Sequence, residues 1–263
     1  MTSSDDYIQE GLLAQDPGLW CQKLTSLPRK QAFSPALFLD RDGVVVEEVD
    51  YLHRAEDIRL IDGAATIIAA CNQADIPVVL VTNQSGIGRG LYGWPEFAAV
   101  QEKLLQLLSS FGAHIDMVLA CAYHSDAKSP YQTKNHSWRK PNPGMLLAAA
   151  ERMKIELSDS WIVGDRATDI EAGHAAQLGG GILVLSGHTR QSDVHKVSSA
   201  GDNYRVRVAY SLAACPFLIE YMKPANSKAA KPVAEEPRMD RASYNKLKLD
   251  ERLLRQRLGL PPL

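Results

Sequence analysis

The stretch Ala36-Leu37-Phe38-Leu39-Asp40-Arg41-Asp42-Gly43 sets the strongest limit on what this chain can fold into. Four apolar residues without alternation run into two carboxylates spaced i, i+2, and a glycine follows. A non-alternating apolar run reads as a strand buried on both faces, the habit of parallel sheets. Residues two apart in extended backbone point the same way. Asp40 and Asp42 are therefore expected in one small volume beyond the carboxyl edge of the sheet, where open α/β sheets hold their ligands. Two carboxylates ~4 Å apart repel by roughly 4 kcal/mol at an effective dielectric near 20. A cation on one relieves this and lets the other hold a proton. Such a pair suits phosphoryl transfer through an aspartyl-phosphate: Asp40 attacks phosphorus, and Asp42 protonates the leaving oxygen and then deprotonates water. Taken alone, D-x-D-G is also the chemistry of a helix cap or a turn.

The same strand-then-helix grammar repeats downstream. Apolar runs at 77–82, 115–121, 161–164 and 181–185 alternate with helical stretches at 63–75, 95–111, 143–154 and 169–178. Asp62 and Asn142 stand where helix caps belong. Residues 83–94 read as a glycine-rich loop, 44–62 and 123–139 as long loops, and 211–222 as a closing helix. The expected fold is α/β, a three-layer Rossmann-like parallel sheet covered on both faces. Residues 1–33 form a lead-in without a clean period, from which Leu12, Leu13, Trp20 and Leu24 could pack on the body. The expected organisation is an N-terminal extension at 1–33, a domain at 34–222 and a tail at 223–263.

The bulk properties narrow the function classes. The net charge is −2, so no global basic field points to nucleic acid. The four cysteines, Cys21, Cys71, Cys121 and Cys215, lie far apart, as in a reducing compartment. No apolar run approaches a membrane span, and the first residues are polar and acidic, so a cytoplasmic location is expected. The tail carries ten Lys/Arg against five Asp/Glu. It reads as a solvated extension; a short basic helix at 244–258, formed on an unknown partner, is the other reading.

Three further clusters close successive strands. Thr82-Asn83 offers a hydroxyl and an amide for a phosphoryl oxygen, or ordinary turn chemistry. Gln84 to Gly90 follows, with Arg89 able to fork onto phosphate, or as a plain surface loop. In Arg139-Lys140-Pro141-Asn142, Lys140 could neutralise the nucleophile and Arg139 could grip a distal phosphate; the plain reading is a basic pair at a turn. Asp165 closes the 161–164 strand and suits a hard cation such as Mg²⁺. Asp169 either orients Lys140 or caps the following helix.

In this joint order the residues at 36–222 resemble the haloacid dehalogenase superfamily of phosphohydrolases. Phe38 to Val44, Asp50 to Ile58, Thr82 to Gly90 and Arg139 to Met145 are similar to the D-glycero-D-manno-heptose-1,7-bisphosphate 7-phosphatase family, with the histidinol-phosphatases as near relatives. The resemblance implies a core without a large cap domain, Asp40 as nucleophile, Asp42 as acid/base, and Thr82 and Lys140 as partners of phosphate and nucleophile. It implies Mg²⁺ on Asp40, the Asp42 backbone carbonyl and Asp165, and substrate contacts from Asn83, Arg89, Arg139 and Lys140. It also implies a monomer and a small phosphorylated sugar as substrate, with no nucleic acid or membrane. The chain departs from the family in its zinc loop. The four ligand positions read Cys121, Tyr123, His136 and Trp138, with His124 nearby. Zinc prefers four N/S ligands in a closed site, so no structural zinc is expected and Tyr123 and Trp138 should pack instead. The function expected is a Mg²⁺-dependent heptose-bisphosphate 7-phosphatase. Histidinol-phosphate phosphatase and a phosphatase-derived partner-binding protein are the alternatives.

Overall fold

The computed structural model describes residues 8, 11–25, 33–187, 189–197 and 204–222. The tail at 223–263, with its expected basic helix, lies outside them. Eight strands form one sheet: β1 (Leu12–Leu13), β2 (Asp16–Lys23), β3 (Leu37–Leu39), β4 (Val78–Asn83), β5 (Met117–Cys121), β6 (Trp161–Gly164), β7 (Gly180–Val184) and β8 (Arg205–Ala209). Their spatial order is β1-β2-β5-β4-β3-β6-β7-β8. The pairs from β5 through β8 are parallel. β2 joins β5 antiparallel, and β1 joins β2 antiparallel.

The described helices are α1 (Ala64–Gln73), α2 (Ser85–Arg89), α3 (Trp94–Ser109), α4 (Gly144–Met153), α5 (Ala167–Ala175), α6 (Gln191–Val197) and α7 (Leu218–Tyr221). They cover both faces of the sheet, and the strands divide accordingly. Leu37, Leu39, Val78 and Leu80 join a core with Ile68 of α1 and Leu104 of α3. Phe38, Val79 and Val81 join the opposite core with Met145 and Ala149 of α4 and Ile170 of α5. Period-two side-chain direction on a doubly covered sheet explains why the apolar runs do not alternate. The chain crosses from β3 to β4 on one side and later to β6 on the other. A crevice therefore opens above the carboxyl end of β3, at the reversal of strand order.

Several local expectations change. The lead-in is an edge hairpin, and Trp20 is fully buried against Trp94 and Phe97, with ring centroids 5.7 and 5.3 Å apart. Neither expected cap forms. Gly63 precedes α1 with no side-chain cap, and Pro143 stands before α4. The Asn142 amide instead donates to Asn135 Oδ1 at 2.7 Å and to the His136 carbonyl at 2.9 Å. The glycine-rich loop contains α2, because Gly86 and Gly88 fit against Tyr92 and the Ala122 carbonyl. The closing helix is broken into a 3₁₀ turn, Leu212–Ala214, and α7. Pro216 lies between them, and a residue before proline is disfavoured in helical backbone. Strand β8, Arg-Val-Arg-Val-Ala, went unread because its charged positions hide its apolar ones.

Candidate active site

β3 ends at Leu39, and the Asp40 N–H still donates to the Val163 carbonyl of β6 at 2.9 Å. The Asp40 side chain is thereby delivered to the crevice from the centre of the sheet. Gly43 turns the chain away with φ +78°, and a Cβ there would lie 2.8 Å from Asp165 Oδ2. Only glycine meets both demands. Thr189 Oγ1 donates to the Asp165 carbonyl at 2.7 Å, and Ser186 Oγ donates to the Gly43 carbonyl at 2.6 Å. These bonds fix the two acidic loops to each other's surroundings.

Lys140 enters from the segment before α4 and is almost wholly buried. Its Nζ lies 2.8 Å from Asp40 Oδ1 and 2.6 Å from Asp169 Oδ1, and donates to the Val81 carbonyl at 2.7 Å. Burial alone would lower the ammonium; the carboxylates of Asp169 and Asp40 outweigh it and raise it, so Lys140 stays charged. Asp40 moves up from the usual carboxylate range, chiefly by burial, against the pull of Lys140 and with the push of Asp169 and Asp42. Asp169 does both things the sequence left open. It holds Lys140 with one oxygen and accepts the Arg166 N–H with the other at 3.0 Å, at the start of α5.

Carboxylate oxygens of Asp40, Asp165 and Asp169 lie within 4.8 Å of one another. An all-oxygen, multiply anionic donor set fits a hard divalent cation. Asp169 was absent from the ligand set read in the sequence, and its i+4 spacing from Asp165 could have suggested it. The Asp42 carboxylate is outside this trio. Arg41 Nε donates to both its oxygens at 3.1 Å and Nη2 to Oδ2 at 2.9 Å. Gln84 Nε2 donates to Asp42 Oδ2 at 3.3 Å and to Thr82 Oγ1 at 2.8 Å. Nothing in the sequence marked Arg41 as buried, yet it is 1% exposed, with its guanidinium 5.5 Å from the Phe97 ring centre.

A cavity of about 390 Å³ unites Asp40, Asp42, Thr82, Asn83, Arg139, Lys140 and Asp165. The loop at 44–62 contributes Glu48, Asp50 and Tyr51 to its wall. Burial and the charges of Asp42 and Asp40 raise the Glu48 carboxyl to about 8. Asn83 lines the cavity but commits its amide to the Lys140 backbone, donating to its carbonyl and accepting from its N–H, both at 3.1 Å. Arg89 is not brought into the lining. Its Nη2 sits 3.4 Å from His124 Nε2 and 3.5 Å from Asp126. Cys121, Tyr123, His136 and Trp138 do come together: the Tyr123 and His136 rings stack at 4.1 Å, and Cys121 Sγ is 4.0 Å from His136 Nδ1.

Residues 137–211 match a family model described as HAD-hydrolase-like. A curated D-glycero-beta-D-manno-heptose-1,7-bisphosphate 7-phosphatase from Mesorhizobium japonicum is 46% identical over 172 residues, covering 64% of this chain and 77% of the relative. The chain belongs to this phosphatase family. Membership makes it a phosphoric monoester hydrolase of the HAD-like class. The family's fold is the one described above. A crystal structure of a putative HAD-like phosphatase from Mesorhizobium loti superposes with a TM-score of 0.70 at 39% identity, covering 81% of this chain and 96% of that one. The D,D-heptose 1,7-bisphosphate phosphatase from B. bronchiseptica, solved with magnesium and phosphate, gives 0.61 at 31% identity over 69% of this chain and 96% of that one. Among the described residues no helix is long and apolar enough to cross a membrane.

Proposed function

We propose that this chain removes the 7-phosphate of D-glycero-D-manno-heptose 1,7-bisphosphate through a phospho-aspartate on Asp40. One observation carries the reading: Lys140 bridges Asp40 and Asp169 beside Asp165, at the floor of one cavity on the carboxyl edge of β3. Asp40, Asp165 and the Asp42 backbone carbonyl would hold Mg²⁺, with Asp169 beside them. Bound there, the ion would supply charge neutralisation for phosphoryl transfer.

The protein's own groups do the rest. An Asp40 oxygen attacks phosphorus in line and the P–O bond to the sugar breaks. Asp42 gives its proton to the departing oxygen. Water then attacks the phospho-aspartate, Asp42 takes its proton, and phosphate leaves with Asp40 restored. Lys140 is a fixed charge aimed at the nucleophile and needs no reorganisation as negative charge develops. The Thr82 hydroxyl is held by Gln84 at the cavity wall, within reach of a phosphoryl oxygen. Arg139 stands in the same wall as the cation for the second phosphate.

The test is turnover of heptose 1,7-bisphosphate and of histidinol phosphate, each with and without Mg²⁺. The bisphosphate should show the higher kcat/KM, and only with the ion. A preference for histidinol phosphate would overturn the substrate assignment, and equal turnover without Mg²⁺ would overturn the metal.

A further inference from the structure

The N-terminal hairpin meets the active-site loop at Asp16. Asp16 opens β2, and its Oδ1 accepts the Tyr123 hydroxyl at 2.6 Å and the Gly18 N–H at 3.1 Å. The His136 ring stacks on Tyr123 with 10° between planes, and its Nε2 is 3.7 Å from Asp16 Oδ2. His136 Nδ1 accepts the Trp138 N–H at 3.1 Å, and the His136 carbonyl accepts the Arg139 N–H at 2.9 Å. The Tyr123 carbonyl in turn accepts Arg139 Nη1 at 3.0 Å. Both ends of Arg139, backbone and guanidinium, thus donate to backbone carbonyls of the two residues whose stacked rings Asp16 faces.

The hairpin is built to carry this contact. Leu19 pairs with Cys121, and the Ala122 N–H donates to the Gly18 carbonyl at 2.9 Å, so strand pairing continues to the residue before Tyr123. A side chain at Gly18 would collide with the Tyr123 ring, so the ring occupies the space that a Cβ would need. Burial and the Asp16 carboxylate raise the Tyr123 phenol, which keeps it a donor. Burial lowers His136, which favours the neutral ring in the stack.

We propose that Asp16 and Tyr123 are positioning residues: a latch from the N-terminal hairpin that holds Arg139 at the angle required to grip the second phosphate. The inference rests on the reading of Arg139 given above. A latch acting only through Arg139 has a selective signature. It moves KM for a bisphosphorylated substrate, leaves kcat alone, and leaves untouched a monophosphate with no second phosphate.

Tyr123→Phe keeps the ring and deletes the donor. It should raise KM for heptose 1,7-bisphosphate about tenfold, the effect of losing one hydrogen bond to a charged group. Its kcat, and its kcat/KM for p-nitrophenyl phosphate, should stay within about twofold of wild type. Asp16→Ala should match it, whereas Asp16→Asn, which retains an acceptor for the hydroxyl, should restore wild-type KM. Combining Tyr123→Phe with Arg139→Ala should be no worse than Arg139→Ala alone. Equal losses on both substrates, additive effects in the double variant, or an unchanged KM would overturn the latch. If Arg139→Ala itself left the bisphosphate KM unchanged, the reading of Arg139 would fall, and the latch with it. If Arg139→Ala raised KM and Tyr123→Phe did not, only the latch would fall.

Discussion

Each carboxylate in the crevice has a different neighbour, so the same substitution has different consequences at each. Asp40→Asn removes the attacking oxygen and leaves Lys140 paired with Asp169. Turnover should fall by roughly three orders of magnitude or more, as when a nucleophile is deleted, while the far-ultraviolet circular dichroism stays unchanged. Asp42→Asn acts on stability as well. Arg41 is buried, and its ion pair with Asp42 offsets that burial. Losing the charge should lower unfolding free energy by about 2 kcal/mol in urea titrations, the usual worth of a hydrogen bond to a charged group, in addition to slowing turnover. A wild-type denaturation midpoint for Asp42→Asn would show that Arg41 finds its compensation elsewhere.

At the scale of elements, the hairpin β1–β2 belongs to the sheet rather than lying upon it. Trp20 fills the gap between the sheet and α3, edge-on to Phe97. Trp20→Ala should cost about 3–5 kcal/mol, the range for emptying a buried aromatic site, and a urea titration measures it. The apolar strands at 77–82, 115–121 and 161–164 were legible because a doubly covered strand leaves an unmistakable local run. The hairpin was not, since β2 carries Asp, Pro and Gly at its start and Gln and Lys at its end. β8 was missed for the same reason: Arg205 and Arg207 lie over the rings of Trp161 and Phe217, a placement with no local signature.

For the whole molecule, the crevice concentrates negative charge that folding must hold together. Asp40 and Asp169 share one ammonium, and the Asp165 carboxylate lies beside them. A divalent ion bound there adds stability in proportion to its occupancy, about 2.7 kcal/mol at one hundred times its Kd. The thermal midpoint should therefore rise on adding Mg²⁺ and return on chelation. In Asp165→Asn the rise should shrink together with the Mg²⁺ dependence of turnover, as titration calorimetry and thermal melts can follow in parallel. An undiminished shift in that variant would place the ion elsewhere.

The sequence by itself determined the doubly covered parallel sheet and the placing of Asp40, Thr82 and Asp165 at strand ends, because backbone periodicity and burial act over a few residues. Only the tertiary structure decided that Asp169 serves Lys140 and α5 at once, that Asn83 holds Lys140, and that Asp42 rests on Arg41. It likewise decided that Asp16 meets Tyr123 across a sequence separation of 107. Those contacts depend on sheet order and on which loops converge above β3, and the free energy that selects them comes from packing the whole chain.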